Sequence, residues 1–141
     1  SPGKPLTPVA VFEGKIATSN MLKGKQTEPD YTGVPSVVFT IPELARVGML
    51  EEEARETGDV EVSFTDTSGW FSQKRLGETH AGAKIISNSE GKILGAHMFG
   101  PDYAELINIF SLAIKLGLTV DQIKTMPAAY PTGASDIGSM L

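Results

Sequence analysis

The stretch "HAGAKIISNSEGKILGAHMFG", His80 to Gly100, decides the fold. Two apolar runs are joined by Asn88, Ser89, Glu90 and Gly91, turn formers ending in a glycine that can take a positive φ, so the stretch reads as a β-hairpin. Upstream, "VEVSFTD" alternates, with Val60, Val62 and Phe64 on one face, as in a half-buried strand. Downstream, "PDYAELINIFSLAIKLG" sets Tyr103, Leu106, Ile107, Phe110 and Ile114 at helical spacing and stops at Gly117. This is the helix expected to lie against the sheet. "LTVDQIKTM" offers Thr119 and Gln122 as a capping box for a short helix. "SVVFT" reads as a short strand, "IPELARVGMLEEEARETG" as one or two helical turns leading into a helix that Gly58 ends, and "TSGWFSQKRLGET" as irregular. The strongest strand pair is a hairpin and not a βαβ unit. The expected class is therefore α+β, a mainly antiparallel sheet of about four or five strands with helices on one face.

Toward the amino end, "PLTPVAVFEGKIATSNMLKGK" reads as a helix capped by Thr7, with Pro8 in its first turn and Gly24 at its stop. Val9, Phe12, Ile16 and Met21 lean to one side, so it needs something to pack on. The polar "QTEPDYTGVPS", Gln26 to Ser36, reads as a linker.

The 141 residues, 40% hydrophobic, suffice for one core of ordinary size. The net charge of −5 and the lack of any basic run longer than "KR" argue against nucleic acid as a partner. Without cysteine, disulfides, thiolate metal sites and a redox dithiol within the chain are excluded, and two histidines, His80 and His97, argue against a histidine-rich metal site. Apolar runs reach about five residues, too short for a bilayer, so the chain is expected to be soluble, with no signal peptide and no membrane partner; the lack of cysteine agrees with the cytoplasm, the expected location.

Chemistry is harder to read. Neither a dinucleotide nor a P-loop fingerprint occurs. "EEEARE" reads as a solvated acidic face, His97 as a satisfied strand residue, His80 as an exposed one and Trp70 as packing. Tyr130, in "AAYPTGASD", sits in a loop between two short helices. A phenol of ordinary pKa near ~10 can donate a hydrogen bond to developing charge. The plain alternative is that its ring packs beneath the last helix.

"PLTPVAVFEGKIATSNMLKG", "PSVVFTIPELARVGMLEEEARETG", "GKILGAHMFGPDYAELINIFSLAIKLGLT" and "YPTGASD" occur in that order. Together they resemble the carboxyl-terminal third of the flavin-dependent pyridine nucleotide-disulfide oxidoreductases, such as glutathione reductase, dihydrolipoamide dehydrogenase and mercuric reductase. "FTIPELARVG" is the most specific piece. The resemblance implies a leftover flavin-domain helix and the start of a linker at 1–25, linker at 26–36, and a dimerisation domain at 37–141 that pairs with a second copy. It implies FAD and NAD(P)H in the parent enzyme, with neither held tightly by this chain, and the parent's flavin domain as a further partner. Thr7, Pro8, Val9 and Ala10 match the motif whose helix N-terminus faces the flavin. Tyr130 stands at the family's histidine position, Ser135 at its glutamate position, and Asp136 one place late. A tyrosine does not exchange protons at neutral pH as an imidazole does. The resemblance therefore points to a pairing unit that completes its partner's active site. The alternative is a fragment of a working disulfide or metal-ion reductase in which Tyr130 and Asp136 replace the usual dyad.

Overall fold

The computed structural model describes residues 4–141. The expected hairpin is the centre of the sheet: β4 (Gly82–Asn88) pairs antiparallel with β5 (Ile93–Phe99), from Gly82 opposite Phe99 to Ser87 opposite Ile93. Asn88 Oδ1 closes the turn by accepting the N–H groups of Glu90 and Lys92, at 3.1 and 2.9 Å. With β1 (Ser36–Val38), β2 (Leu44–Gly48) and β3 (Val60–Asp66), the hairpin forms a five-stranded antiparallel sheet in the order β1-β2-β5-β4-β3. The class is α+β, as expected.

One sheet face carries Ala45, Val47, Ala83, Ile85, Ala96 and Met98, all buried. Over it lies α4 (Tyr103–Leu116), which buries Tyr103, Leu106, Ile107, Phe110 and Ala113. Each large side chain so buried contributes about 1.5–3 kcal/mol. Ile123 of α5 (Val120–Lys124), with Ile137 and Met140 of α6 (Ile137–Met140), completes that core. Thr119 and Gln122 form the expected capping box on α5. The buried Tyr103 hydroxyl is satisfied by Thr67 Oγ1 at 2.7 Å and by Gln73 Nε2 at 3.3 Å.

Four sequence expectations need correction. Leu44–Gly48 is strand β2 and not helical turns; the helix begins only at Glu51 and runs to Glu56 as α2. Pairing with β5 overrides the helical propensity of Leu, Ala and Arg. Val60, Val62 and Phe64 do share a face, but it is the face away from α4, and Phe64 is 72% exposed. Phe71–Lys74, within the segment read as irregular, is a single helical turn, α3. Thr7 is the first residue of α1 (Thr7–Lys23), whose N-cap is Leu6, and only Val9 of α1 is buried while Phe12 and Met21 are exposed.

Helices α4, α5 and α6 gather on one face, and the short α2 covers one end of the other. There Met49 O approaches Gly95, and Glu51 accepts a hydrogen bond from Lys84 at 3.1 Å.

Within "FTIPELARVG", the glutamate has a structural role. Asp102 gives α4 no side-chain cap; instead Glu43 Oε2 accepts the Ala104 N–H at 2.8 Å, placing a carboxylate at the positive end of the helix. Glu43→Ala is expected to cost about 1–2 kcal/mol of stability in urea denaturation, with Glu43→Gln losing less. A Glu43→Ala protein as stable as the original would show the cap to be idle.

Candidate functional site

Tyr130 lies between α5 and the 3-10 turn Gly133–Asp136, on the loop where the sequence puts it. The Tyr130–Pro131 and Ile41–Pro42 peptide bonds are both cis. Its side chain is 82% exposed, so the packing alternative is not what the structure shows. The loop is held from below. Thr132 and Ser135 cap each other reciprocally, with Ser135 Oγ also donating to Thr132 O at 2.6 Å.

Asp136 Oδ2 accepts the Ser72 hydroxyl at 2.5 Å, which ties the turn to α3. Tyr130, Ser135 and Asp136 thus come together around a cleft of about 30 Å³, completed by Phe71, Ser72 and Arg75. A cleft of this size can hold ordered water. Asp136 is engaged by Ser72 and not by Tyr130, so the two do not form a hydrogen-bonded dyad. Arg75 and Phe71 belong to this site although nothing in the sequence around them marks them. Their place depends on the Ser72–Asp136 bond across 64 positions, which no local pattern announces.

Thr7, Pro8, Val9 and Ala10 form the first turn of α1, far along the chain from the Tyr130 loop. Ala10 N donates to Leu6 O at 3.0 Å. The earlier Thr7 and Val9 N–H groups precede that first intrahelical bond. No acidic side chain occupies this turn.

Two surfaces leave large apolar side chains exposed. The first is on α4. At 100° per residue, the side chains facing the sheet (Leu106, Ile107, Phe110, Ala113) and those facing segment 26–36 (Ser111, Lys115) leave one arc open. It carries Glu105, Asn108, Ile109, Leu112 and Leu116, with Leu112 58% and Leu116 62% exposed. The Gly133–Asp136 turn packs against α4, so the Tyr130 loop flanks this helix.

The second surface is the sheet face away from α4. Val38, Leu44, Phe99 and Gly82 align across it, with the Phe64 ring 3.5 Å from where a Gly82 Cβ would stand. Phe64, Phe99 and Leu44 border a trough of about 540 Å³. Beside it run Arg46, His97 and Lys84 in register.

His97 shares a hydrogen bond of 2.9 Å between Nε2 and Met49 O, and burial pushes its pKa below the ordinary 6.5. The unfolded chain then binds a proton more readily than the folded one, so stability is lost as pH falls below about 6.5. A His97→Gln protein is expected to show a flatter decline between pH 7 and 5 in thermal melts; an identical decline would remove His97 from the account.

Among the described residues no helix is long and apolar enough to cross a membrane.

Comparison with known proteins gives these surfaces a context. An uncharacterized 19.7 kDa protein in a mercuric resistance operon of Staphylococcus aureus is 44% identical over 141 residues, covering 99% of this chain and 78% of that protein. Dihydrolipoyl dehydrogenase of Bacillus subtilis is 38% identical over 132 residues, 92% of this chain but only 28% of the enzyme. Among solved structures, the HOCl-induced flavoprotein disulfide reductase RclA from Escherichia coli superposes with a TM-score of 0.88 at 27% identity, covering 98% of this chain and 32% of that one. The chain therefore spans a minor share of these enzymes and most of the staphylococcal protein. The family model of the pyridine nucleotide-disulphide oxidoreductase dimerisation domain matches residues 34–141, the sheet and the helices on it, and the chain belongs to that family.

Proposed function

We propose that this chain is the pairing unit of a cytoplasmic FAD- and NAD(P)H-dependent oxidoreductase, and that it associates with a second copy through the free arc of α4. The observation that carries this is the exposure of Leu112 and Leu116, one turn apart, on a helix whose other flanks are clad. Exposed leucines so aligned gain by meeting a symmetry mate, and a twofold axis brings the same patch of each copy together.

Pairing there puts the Tyr130 loop at the rim of the contact, offered to the second copy. In this reading Tyr130 completes the acceptor side of the partner's site as a hydrogen-bond donor, with Arg75 and Phe71 beside it and Asp136 holding the loop to α3. Ser135 acts through the capping box and does not take the acid's place. The first turn of α1, Thr7 to Ala10, offers N–H groups and a positive helix end to the pyrimidine edge of a flavin. FAD would supply the hydride-accepting chemistry; this chain contributes orientation and charge. The open sheet face is assigned to the flavin-binding body of the parent, whose domains correspond to the part of the longer relatives that this chain does not span. The reading in which Tyr130 and Asp136 act as a substitute proton-transfer dyad is not favoured, since Asp136 is hydrogen-bonded to Ser72 and not to Tyr130.

Tyr130→Phe in the complete enzyme is the test. Turnover is expected to drop by about tenfold or more, the scale of a lost hydrogen bond to developing charge, with pairing and flavin content unchanged. Wild-type turnover would remove Tyr130 from the site.

A further inference from the structure

We infer that residues 26–35 are not a loose tether but a strap that couples the free arc of α4 to α1, so that pairing at α4 and ordering of α1 reinforce each other. The inference rests on the reading of α4 as the pairing surface.

The strap is seated on the flank of α4 by three contacts. Gly33, at φ +75°, lies flat on the helix: a Cβ there would stand 2.6 Å from Ser111 O and 3.3 Å from Lys115 Cβ. Ser111 Oγ donates to Gly33 O, and Lys115 Nζ to Asp30 Oδ2. The Lys115 ammonium, followed by the Thr32 groups, holds the Asp30 carboxyl well below the usual carboxylate range. Asp30 Oδ1 also accepts the Thr32 N–H at 2.9 Å, which fixes the turn between the two seats.

At its other side the strap holds α1. Tyr31 OH donates to Glu13 Oε1 at 2.6 Å. Asn20 Nδ2 donates to Thr27 O at 2.8 Å, while its Oδ1 accepts the N–H groups of Gln26 and Thr27 at 3.2 Å. Lys4 Nζ, just ahead of α1, reaches Val34 O at 3.0 Å. With Val9 alone buried, α1 takes little from the core, and these bonds carry its placement.

Ser111 and Lys115 each immediately precede a leucine of the free arc. The Asp30–Lys115 pair is half-exposed, and in water such a pair contributes little because it is screened. A second copy covering Leu112 and Leu116 removes water from beside it and strengthens the attraction. The strap is then held more tightly, and α1 with it. Coupling of this kind is reciprocal, so loosening the strap weakens pairing by the same factor.

Amide hydrogen exchange over α1, read in this chain alone, tests the idea. In the paired chain, α1 is expected to exchange at least about fivefold more slowly than in the Leu112→Glu, Leu116→Glu chain. Asp30→Asn, a mild surface change, and Ser111→Ala are expected to shrink that difference and weaken pairing correspondingly. Pairing with unchanged α1 exchange, or a difference that survives both strap substitutions, would overturn the strap while leaving self-association standing. A chain that never pairs overturns both.

Discussion

Replacing Leu112 and Leu116 together by glutamate is expected to weaken self-association by at least about three orders of magnitude, leaving a monomer at concentrations where the unsubstituted chain is paired. Each leucine that moves from water into a contact contributes on the order of 1–2 kcal/mol. Four leucines leave the twofold contact, and seating two carboxylates of one copy against two of the other adds a desolvation and repulsion cost, for a total of at least about 4 kcal/mol. Folding is expected to change little, within about 0.5 kcal/mol, because both side chains are more than half exposed and glutamate is a good helix former. Mass and thermal melting read the two effects separately. A pair that survives both glutamates would move the contact elsewhere, with the open sheet face next in line.

Gly48→Ala is expected to be the most damaging single substitution to the fold, at about 3–5 kcal/mol or outright failure to fold. Gly48 has φ +76°, which costs an alanine about 1–2 kcal/mol by itself. The added Cβ would overlap Leu94 O and stand 2.8 Å from Ile114 Cδ1 and 2.9 Å from Gly95 Cα. Two of these are backbone atoms of the central strand, and Leu94 O already accepts the Met49 N–H at 2.9 Å. The Ile114 methyl can swing aside but the two backbone atoms cannot, so relief requires β2 to part from β5. Gly138→Ala, in α6 with open space around it, is the control and is expected to be neutral or slightly stabilising. Urea denaturation of both compares them, and a Gly48→Ala loss below about 1 kcal/mol would mean that the strand pair is more pliant than its register implies.

These two positions also mark what was legible in the sequence. The hairpin and α4 were readable because turn chemistry and helical spacing are local. So was the cap on α5. Strand β2 was not, because "ELARVGMLEEEARE" is a run of helix formers whose first part becomes strand only by pairing with β5, about fifty positions on. The alternation in β3 gave the period but could not say which face is covered, and Phe64 turned out to be on the open one. Glu43 capping α4 and Ser72 holding Asp136 are bonds between segments 61 and 64 positions apart. The segment 26–36 read as a linker because its residues are polar; its hydrogen bonds to α1 and α4 exist only in three dimensions.

Self-association is tested most simply by the solution mass of the unsubstituted chain, measured by light scattering over roughly a hundredfold range of concentration. The expected mass is twice the 15.0 kDa of one chain, with dissociation only at the dilute end. A mass of one chain throughout that range would contradict it.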